Sequence, residues 1–419
     1  MMIKIILRGL RYGTAFLCCA LGLTSIVATG GGGGGGSDYG PAPFSIFFSV
    51  DIVDLDGDGH LDIASARTDI WHSPPHEGRV SLLYQDDQLP WPLALRRLVN
   101  TGGDPVCIAT GDPNRDGLVD IATANSSTND VSILYQDPLG GGDFLPSRSI
   151  SVGYSPTFLK IGDVDEDGFD DLVISGSNTS ILFQNSNSPG TFLPVVNLGI
   201  GSTSVDIGDI NGDSHLDLAL SGWGLDGTQI HLLFQDSSSL GNFLPAVSLT
   251  TGFQPFSIKI TDIDIDGKAD LIVGNHGKAD DPRSGSVSVF IQDSLAVGTF
   301  LPRIDYPLGR TVEDLAIGDL NNDGFEDIAV ANGYTGPDSR GSISILFQND
   351  SSLGNFLSPV FYEGIYQPVS IAVGDLNGDS FTDIAFGADI VAIRFQDITS
   401  PGNFGEIIIV DVGLMPLPS

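Results

Sequence analysis

The feature that most constrains this chain is a nine-residue acidic loop that recurs seven times. The clearest copy runs from Asp54 to Asp62, with carboxylates at positions 1, 3, 5 and 9 and glycine at position 6. Oxygen atoms at alternate positions of a tight turn can converge on one hard cation, and Ca²⁺ accepts about six to eight such ligands. Glycine at position 6 permits the positive φ with which the backbone wraps around the ion. A single copy is typical of a solvated surface turn, whereas seven copies in register predict seven calcium loops.

The predicted ligand side chains at positions 1, 3, 5 and 9 are aspartate or asparagine in every copy. They are Asp54, Asp56, Asp58 and Asp62 in loop 1; Asp112, Asn114, Asp116 and Asp120 in loop 2; Asp163, Asp165, Asp167 and Asp171 in loop 3; Asp209, Asn211, Asp213 and Asp217 in loop 4; Asp262, Asp264, Asp266 and Asp270 in loop 5; Asp319, Asn321, Asp323 and Asp327 in loop 6; and Asp375, Asn377, Asp379 and Asp383 in loop 7.

The charge of the chain is concentrated in these loops. The sequence holds 18 basic and 53 acidic residues, for a formal net charge of −35. Loops 1, 3 and 5 contribute four ligand carboxylates each and the other loops three each, which is nearly half of all the acids. Without a cation these clusters would repel themselves. A nucleic-acid partner is not expected, because no basic patch is available to neutralise phosphates.

The N-terminal 29 residues are typical of a secretory signal peptide. A positively charged start precedes an uncharged, largely apolar stretch over residues 12–29. Residues 30–43 begin with a glycine run and are predicted to be a flexible tether. The alternative for the apolar stretch is an uncleaved membrane anchor, and no later stretch is long enough to span a bilayer. A lipid anchor is not expected, since Thr29 rather than cysteine precedes the glycines. We therefore predict a secreted, periplasmic or cell-surface protein.

A second landmark divides each repeat into four strands. A glutamine follows an apolar residue after each acidic loop, and in six repeats phenylalanine stands eight residues later, as in Gln136 and Phe144. Strand A precedes the acidic loop, strand B begins at its last aspartate, strand C ends at the glutamine and strand D follows the phenylalanine. Successive loops are 46 to 58 residues apart, which is close to the length of a four-stranded propeller blade.

These observations predict an all-β fold, a seven-bladed β-propeller over residues 44–413 with four antiparallel strands per blade, followed by a tail over 414–419. An open solenoid is the alternative. The first strand starts near Phe44, and the last repeat supplies its own strand D over Glu406–Val412. We therefore predict a ring closed by packing, without strand exchange between the termini. The acidic loops should share one face with the C–D turns, opposite the B–C loops of variable length.

The repeated motif Asp-x-Asp/Asn-x-Asp-Gly-x-x-Asp resembles the FG-GAP/VCBS repeat family, which includes the head propeller of integrin α subunits. The resemblance covers nearly all of the predicted mature chain and implies a propeller that binds up to seven Ca²⁺ ions. It also implies that position 7 supplies a backbone carbonyl ligand, from His60, Leu118, Phe169, His215, Lys268, Phe325 and Phe381. The family's Gly-Ala-Pro element after strand B is absent, so the resemblance extends to the fold and the cation loops but not to a partner.

Two loops depart from the pattern at position 6. Ser214 and Ser380 replace glycine there, and a non-glycine residue in a left-handed turn costs roughly 1–2 kcal/mol. The same two loops, 4 and 7, carry asparagine at position 3 and hence less negative charge. We expect them to be the weakest cation sites.

The candidate ligand-binding surface lies on the longest B–C loops, those of repeats 1, 5 and 6. Aromatic and arginine side chains are favoured binding anchors. The candidate residues are Trp71, His72, His76, Asp280, Asp281, Arg283, Tyr334, Asp338 and Arg340. They predict a non-catalytic binding or adhesion module for an extracellular protein or glycan, and ordinary solvated loops are the alternative.

No catalytic residue is predicted. The sequence contains no nucleophile elbow, His-Glu-x-x-His zinc motif or phosphate-binding loop. One alternative function is a polysaccharide lyase or hydrolase, which would require a convergent cluster of histidine, arginine, tyrosine and carboxylate groups in the axial cleft away from the cation loops. Another is a structural module of an envelope assembly.

Overall fold

The short strands of the chain form seven separate sheets. A computed structural model describes residues 45–69, 78–85, 95–139, 141–222, 227–278, 280–281, 283–333, 341–365, 367–388 and 390–411. Over these ranges the regular structure is entirely β, as expected for segments rich in β-branched residues between glycine and aspartate turns. Within the same ranges no helix has the length and apolar character needed to span a membrane.

Each sheet is a blade made of four consecutive antiparallel strands, A to D. Blades 1 to 4 contain β1 (Ser45–Val53), β2 (Asp62–Asp69), β3 (Gly78–Tyr84) and β4 (Leu95–Asn100); β5 (Pro105–Gly111), β6 (Asp120–Asn125), β7 (Asp130–Leu134) and β8 (Arg148–Ser151); β9 (Pro156–Gly162), β10 (Asp171–Gly176), β11 (Ser180–Leu182) and β12 (Val196–Asn197); and β13 (Val205–Gly208), β14 (Asp217–Leu220), β15 (Gln229–Leu233) and β16 (Val247–Thr250).

Blades 5 to 7 continue the same order. They contain β17 (Pro255–Thr261), β18 (Asp270–Asn275), β19 (Ser286–Phe290) and β20 (Ile304–Pro307); β21 (Val312–Gly318), β22 (Asp327–Asn332), β23 (Gly341–Leu346) and β24 (Val360–Ile365); and β25 (Ser370–Gly374), β26 (Asp383–Gly387), β27 (Val391–Arg394) and β28 (Ile408–Asp411). The predicted fold class of seven four-stranded blades is confirmed.

The register places every acidic loop at the same point of its blade. In each A–B hairpin the residue before the loop pairs with the last aspartate of the loop, as Gly111 pairs with Asp120 and Gly318 with Asp327. Strand B therefore begins at position 9 in all seven blades, as predicted. A fixed register gives the seven loops the same geometric frame.

The ring closes by packing between blades 1 and 7. The A strands contact one another around the circle, and β25 contacts β1. Val50 and Ile63 of blade 1 share one apolar cluster with Leu376 and Ile393 of blade 7. The Val50 amide also donates to Ser370 Oγ at 3.1 Å. Because blade 7 contains its own strands β25–β28, closure among the described residues involves no exchanged strand.

The hydrophobic core lies between neighbouring blades. The B strands of blades 2, 3, 5 and 6 are buried along their whole length, because another blade covers each of their faces. A short, continuous run of apolar and small residues is typical of a strand that is buried on both faces. The core thus holds the blades side by side and leaves the A–B loops at one end of the ring.

Candidate cation loops

The backbone turns left-handed at two positions of every acidic loop. Position 6 has the predicted positive φ in all seven, including Ser214 at 70° and Ser380 at 69°. Position 4 is left-handed as well, a feature that the sequence analysis missed. It holds Gly57, Arg115, Glu166, Gly212, Ile265, Asn322 and Gly378, with φ between 58° and 77°.

Glycine alternates between these two positions. Loops 4 and 7, which have serine at position 6, have Gly212 and Gly378 at position 4. Loops 2, 3, 5 and 6 show the opposite arrangement, so every loop except loop 1 contains one non-glycine residue with positive φ. Ile265 is the most strained of these, because a β-branched residue rarely adopts this conformation. Backbone strain therefore does not distinguish loops 4 and 7 as the weakest sites.

Main-chain amides fix the carboxylates of positions 1 and 5. The amide of position 6 donates to the position-1 carboxylate at 2.7–2.9 Å in all seven loops. The amide of position 7 donates to the position-5 carboxylate at 2.9–3.1 Å in all seven. These hydrogen bonds orient the side chains while leaving free lone pairs on their oxygens.

The position-9 aspartate joins three parts of its blade. All seven are fully buried. One oxygen accepts the amide of the landmark glutamine after strand C at 2.7–2.9 Å in every blade. The other oxygen accepts the amide of position 2 at 2.8–3.1 Å in six blades. In loop 2 position 2 is Pro113, which has no N–H, and Asp120 Oδ2 has no hydrogen-bond partner.

Burial raises the pKa of these aspartates against the opposing effect of their amide donors. The pKa rises to about 7 for Asp62, Asp120, Asp171, Asp270, Asp327 and Asp383, and to about 6 for Asp217. The amide of Asn114 lowers the pKa of Asp120 without reaching hydrogen-bond geometry. A nearby divalent cation favours the ionised carboxylate and reverses the effect of burial.

The donor set fits a hard cation. Three carboxylate oxygens lie within 4.8 Å of one another in each of the three loops with four acids, namely Asp54, Asp56 and Asp58; Asp163, Asp165 and Asp171; and Asp262, Asp264 and Asp270. Ligand oxygens about 2.3–2.6 Å from one ion have mutual separations of this size. Two buried oxygens without a hydrogen-bond partner, Asp120 Oδ2 and Asp163 Oδ1, belong to the predicted ligand set. In loop 5 the positively charged side chain of Lys268 also pairs with one of the predicted ligands, since its Nζ lies 2.8 Å from Asp266 Oδ2.

The predicted ligand-binding residues of the B–C loops are described only in blade 5. Asp280, Asp281 and Arg283 are exposed there, and the Arg283 amide donates to Asp281 Oδ1 at 3.2 Å. Trp71, His72, His76, Tyr334, Asp338 and Arg340 lie outside the described residues. This surface therefore stays a prediction.

An ion pair joins blades 5 and 6. His276 follows strand B of blade 5, and Glu313 lies near the start of strand A of blade 6. His276 Nε2 is 3.4 Å from Glu313 Oε1, which also accepts the Thr311 hydroxyl at 3.0 Å. Burial opposes the charged form of each group, but their attraction prevails, so the pKa of His276 is raised and that of Glu313 is lowered. The pair joins two blades and neutralises itself.

A glycine in the C–D turns was also not predicted from the sequence. Six repeats have glycine two residues before the landmark phenylalanine, and all six have a φ of 75–83°. These residues are Gly142, Gly190, Gly241, Gly298, Gly354 and Gly402. Their constant spacing from phenylalanine is the sequence signal that could have identified them. Each of these glycines contacts the preceding blade.

Comparison with known families agrees with this geometry. A family model described as an FG-GAP-like repeat matches residues 112–174, 163–220 and 319–386, and an FG-GAP repeat model matches 368–407. Mouse integrin alpha-IIb is 28% identical over 248 residues, covering 52% of this chain and 22% of the integrin. Human integrin alpha-IIb is 30% identical over 158 residues, covering 33% of this chain and 15% of the integrin. Chicken integrin alpha-8 is 25% identical over 289 residues, covering 62% and 27%. The matched regions thus span about a quarter or less of these relatives.

Solved structures support the fold. The structure of BBS1N in complex with ARL6DN has a TM-score of 0.54 at 12% identity, covering 85% of this chain and 94% of that one. A protein from Lactobacillus plantarum has a TM-score of 0.50 at 13% identity, covering 89% and 98%. At these identities the likeness concerns the fold alone. The family matches, the integrin α relatives and the seven observed blades together show that the chain contains FG-GAP repeats and is arranged as a seven-bladed β-propeller.

Proposed function

We propose that this protein is a calcium-binding propeller that serves as a non-catalytic binding or adhesion module for an extracellular protein or glycan. The observation that carries the calcium assignment is the convergence of carboxylate oxygens in loops 1, 3 and 5, on a backbone turn that all seven loops share. The similarity to integrin α chains supports the class of module. The stretch over residues 12–29 supports a location outside the cytoplasm.

Calcium would be held by the side chains of positions 1, 3, 5 and 9 and by the carbonyl of position 7. When bound, the ion supplies the positive charge that offsets repulsion among the carboxylates. The chain itself arranges these ligands, because main-chain amides orient the carboxylates of positions 1 and 5 and also hold the buried carboxylate of position 9. Loops 2, 4, 6 and 7 replace one carboxylate with the neutral oxygen of asparagine.

Thermal unfolding tests the calcium assignment directly. A ligand that binds only the folded state stabilises it by about 2.7 kcal/mol per site at 100-fold excess over Kd. Extracellular calcium modules have Kd values of roughly 10⁻⁴–10⁻³ M. We expect the melting temperature to rise clearly with millimolar calcium relative to chelator, and less with magnesium, which tolerates irregular geometry poorly. Asp58→Ala should remove one site and only part of the gain. Equal melting temperatures and no heat of calcium binding would contradict the assignment.

The partner assignment needs a separate test. A glycan array and a pull-down with cell-surface proteins would identify ligands of the mature chain. We expect Trp71→Ala, Arg283→Ala and Tyr334→Ala to weaken binding, because aromatic and arginine side chains carry much of the energy at interfaces. Arg303→Ala, immediately before strand D of blade 5, is a control outside the proposed surface. Intact binding in all three variants would place the partner elsewhere on the ring.

A further inference from the structure

The C–D turn of one blade is seated on the acidic loop of the preceding blade. Gly241 in blade 4 has a φ of 78°, and its amide donates to Gln235 Oε1 at 2.7 Å. A β-carbon at Gly241 would lie 3.0 Å from Asp165 Cβ and 3.2 Å from the ring of Phe183. Asp165 is position 3 of loop 3, a predicted calcium ligand. The turn therefore approaches this ligand as closely as a residue without a side chain allows.

The same contact recurs at all six junctions from blade 1 to blade 7. A β-carbon on the turn glycine would lie 3.0–3.7 Å from position 3 of the preceding loop in every case. The pairs are Gly142 with Asp56, Gly190 with Asn114, Gly241 with Asp165, Gly298 with Asn211, Gly354 with Asp264 and Gly402 with Asn321. A contact repeated six times at one loop position is part of the architecture of the site.

Hydrogen bonds run between neighbouring blades in both directions at this contact. Tyr84 of blade 1 donates its hydroxyl to the carbonyl of Gly142 at 2.5 Å. Tyr135 of blade 2 donates in the same way to Gly190 at 3.0 Å. In the other direction, Gln292 of blade 5 donates its side-chain amide to the carbonyl of Ile210, position 2 of loop 4, at 2.8 Å. Loop and turn thus form one bonded unit that spans two blades.

We propose that cation loops 1 to 6 are each sites shared by two blades, in which the glycine turn of the following blade positions the ligand at position 3. This inference rests on the proposed calcium function. A side chain held in place before binding loses less conformational freedom when the ion enters, so its site has higher affinity. Calcium occupancy of each loop and packing of the next blade are then coupled.

Loop 7 is the exception. It precedes blade 1 in the ring, and the sequence between Gln85 and Leu95 contains no glycine. Loop 7 therefore lacks the glycine that permits the close approach at the other six junctions, and we expect it to bind calcium more weakly than loop 2, which has the same four predicted ligand types. We attribute this weakness to the missing glycine and not to Ser380.

Two glycine variants test the proposal on the full chain. Gly241→Ala forces a β-carbon against Asp165, whereas Gly199, with φ 77° and outside the C–D turns, has no neighbouring atom within 4 Å of an added β-carbon. Both variants carry the same backbone strain, so Gly199→Ala is the matched control. In calorimetric titrations with calcium chloride, we expect Gly241→Ala to lose about tenfold in affinity at one site, because the overpacked β-carbon shifts the ligand at position 3. Gly199→Ala should keep the wild-type isotherm.

The outcomes separate the two levels of the proposal. If the wild type binds no calcium, the proposed function fails. If the wild type binds calcium and both variants bind it equally well, the shared site is wrong and the calcium function stands. A second measurement applies even if Gly241→Ala does not fold. Calcium should slow amide hydrogen exchange in the wild-type turn 236–242 as well as in loop 163–171, and an unchanged turn would overturn the shared site.

Discussion

Loops 2 and 6 have the same four predicted ligand types and differ in how the last aspartate is held. In loop 6, Asp327 accepts the amide of Gln348 at 2.7 Å and that of Leu320 at 3.0 Å. In loop 2, Asp120 accepts the amide of Gln136 at 2.8 Å, and Pro113 leaves its other oxygen without a partner. One substitution outside the ligand set therefore separates two otherwise similar sites.

The comparison shows that position 9 has a structural role before any ion arrives. Its carboxylate ties the end of strand C and the start of the loop to strand B, in the buried part of the blade. Both oxygens of Asp327 accept a main-chain amide, whereas Asp120 keeps an unsatisfied buried oxygen, which is costly in a low-dielectric interior. We therefore expect the conformation of loop 2 to depend more on calcium than that of loop 6.

The largest expected effect comes from removing the two carboxylates. Asp327→Ala leaves two buried amides unsatisfied and Asp120→Ala leaves one, at about 1–3 kcal/mol each. In chelator, Asp327→Ala should lower the free energy of unfolding by about 1–3 kcal/mol more than Asp120→Ala. Denaturant titration measures both. Asp323→Ala, an exposed position-5 residue of loop 6, is the control, and equal losses in the two position-9 variants would remove the structural distinction.

An amide in place of each carboxylate sharpens the comparison. In Asp120→Asn the new NH₂ group replaces the oxygen that has no partner, so the cost should be small. In Asp327→Asn the NH₂ group faces the amide of Leu320, and a lost hydrogen bond with an unsatisfied donor costs about 1–3 kcal/mol. The measurement is again the free energy of unfolding in chelator. A larger loss in Asp120→Asn would contradict our account of Pro113.

Glu313 extends the comparison to a partly buried carboxylate with a charged partner. Its pKa is lowered below the ordinary 4.5 because the attraction to His276 outweighs burial, and the pKa of His276 is raised above 6.5. The lowered carboxyl pKa adds stability that is lost as the pH falls through it. The raised histidine pKa adds stability that is lost as the pH rises through it. The pair therefore stabilises most between those limits.

Glu313→Gln should consequently lower the melting temperature most at about pH 5.5 and progressively less towards about pH 8.5, where neutral histidine no longer attracts the wild-type carboxylate. Melting curves of the variant and the wild type across this range measure the difference. Asp280→Asn, an exposed acid of blade 5, controls for loss of surface charge. A difference that does not vary with pH would show that the pair does not act through its charges.

Much of the fold was predictable because its information is local and repeated. The acidic loop, the landmark glutamine and Phe144 with its equivalents gave the number of blades and the start of every B strand. The left-handed backbone at position 4 was not predictable from the ligand pattern, since Arg115 and Ile265 are not residue types that favour this conformation. The turn glycines recur at constant spacing in the sequence. Their contacts with Asp165, Asp56 and the equivalent residues were not predictable, because each of these residues lies in another blade.

The sequence by itself determined seven copies of one acidic loop, and it predicted the ligand residues on each and a ring of four-stranded blades, because these follow from motif spacing and strand periodicity within single repeats. Only the tertiary structure decided which loop faces which turn and whether each buried oxygen has a donor. The bond from Gln292 to Ile210 joins residues 82 positions apart, and such contacts arise only when separate blades pack together. The physical reason is that hydrogen-bond satisfaction and close approach depend on neighbours in space, which spacing along the chain does not specify.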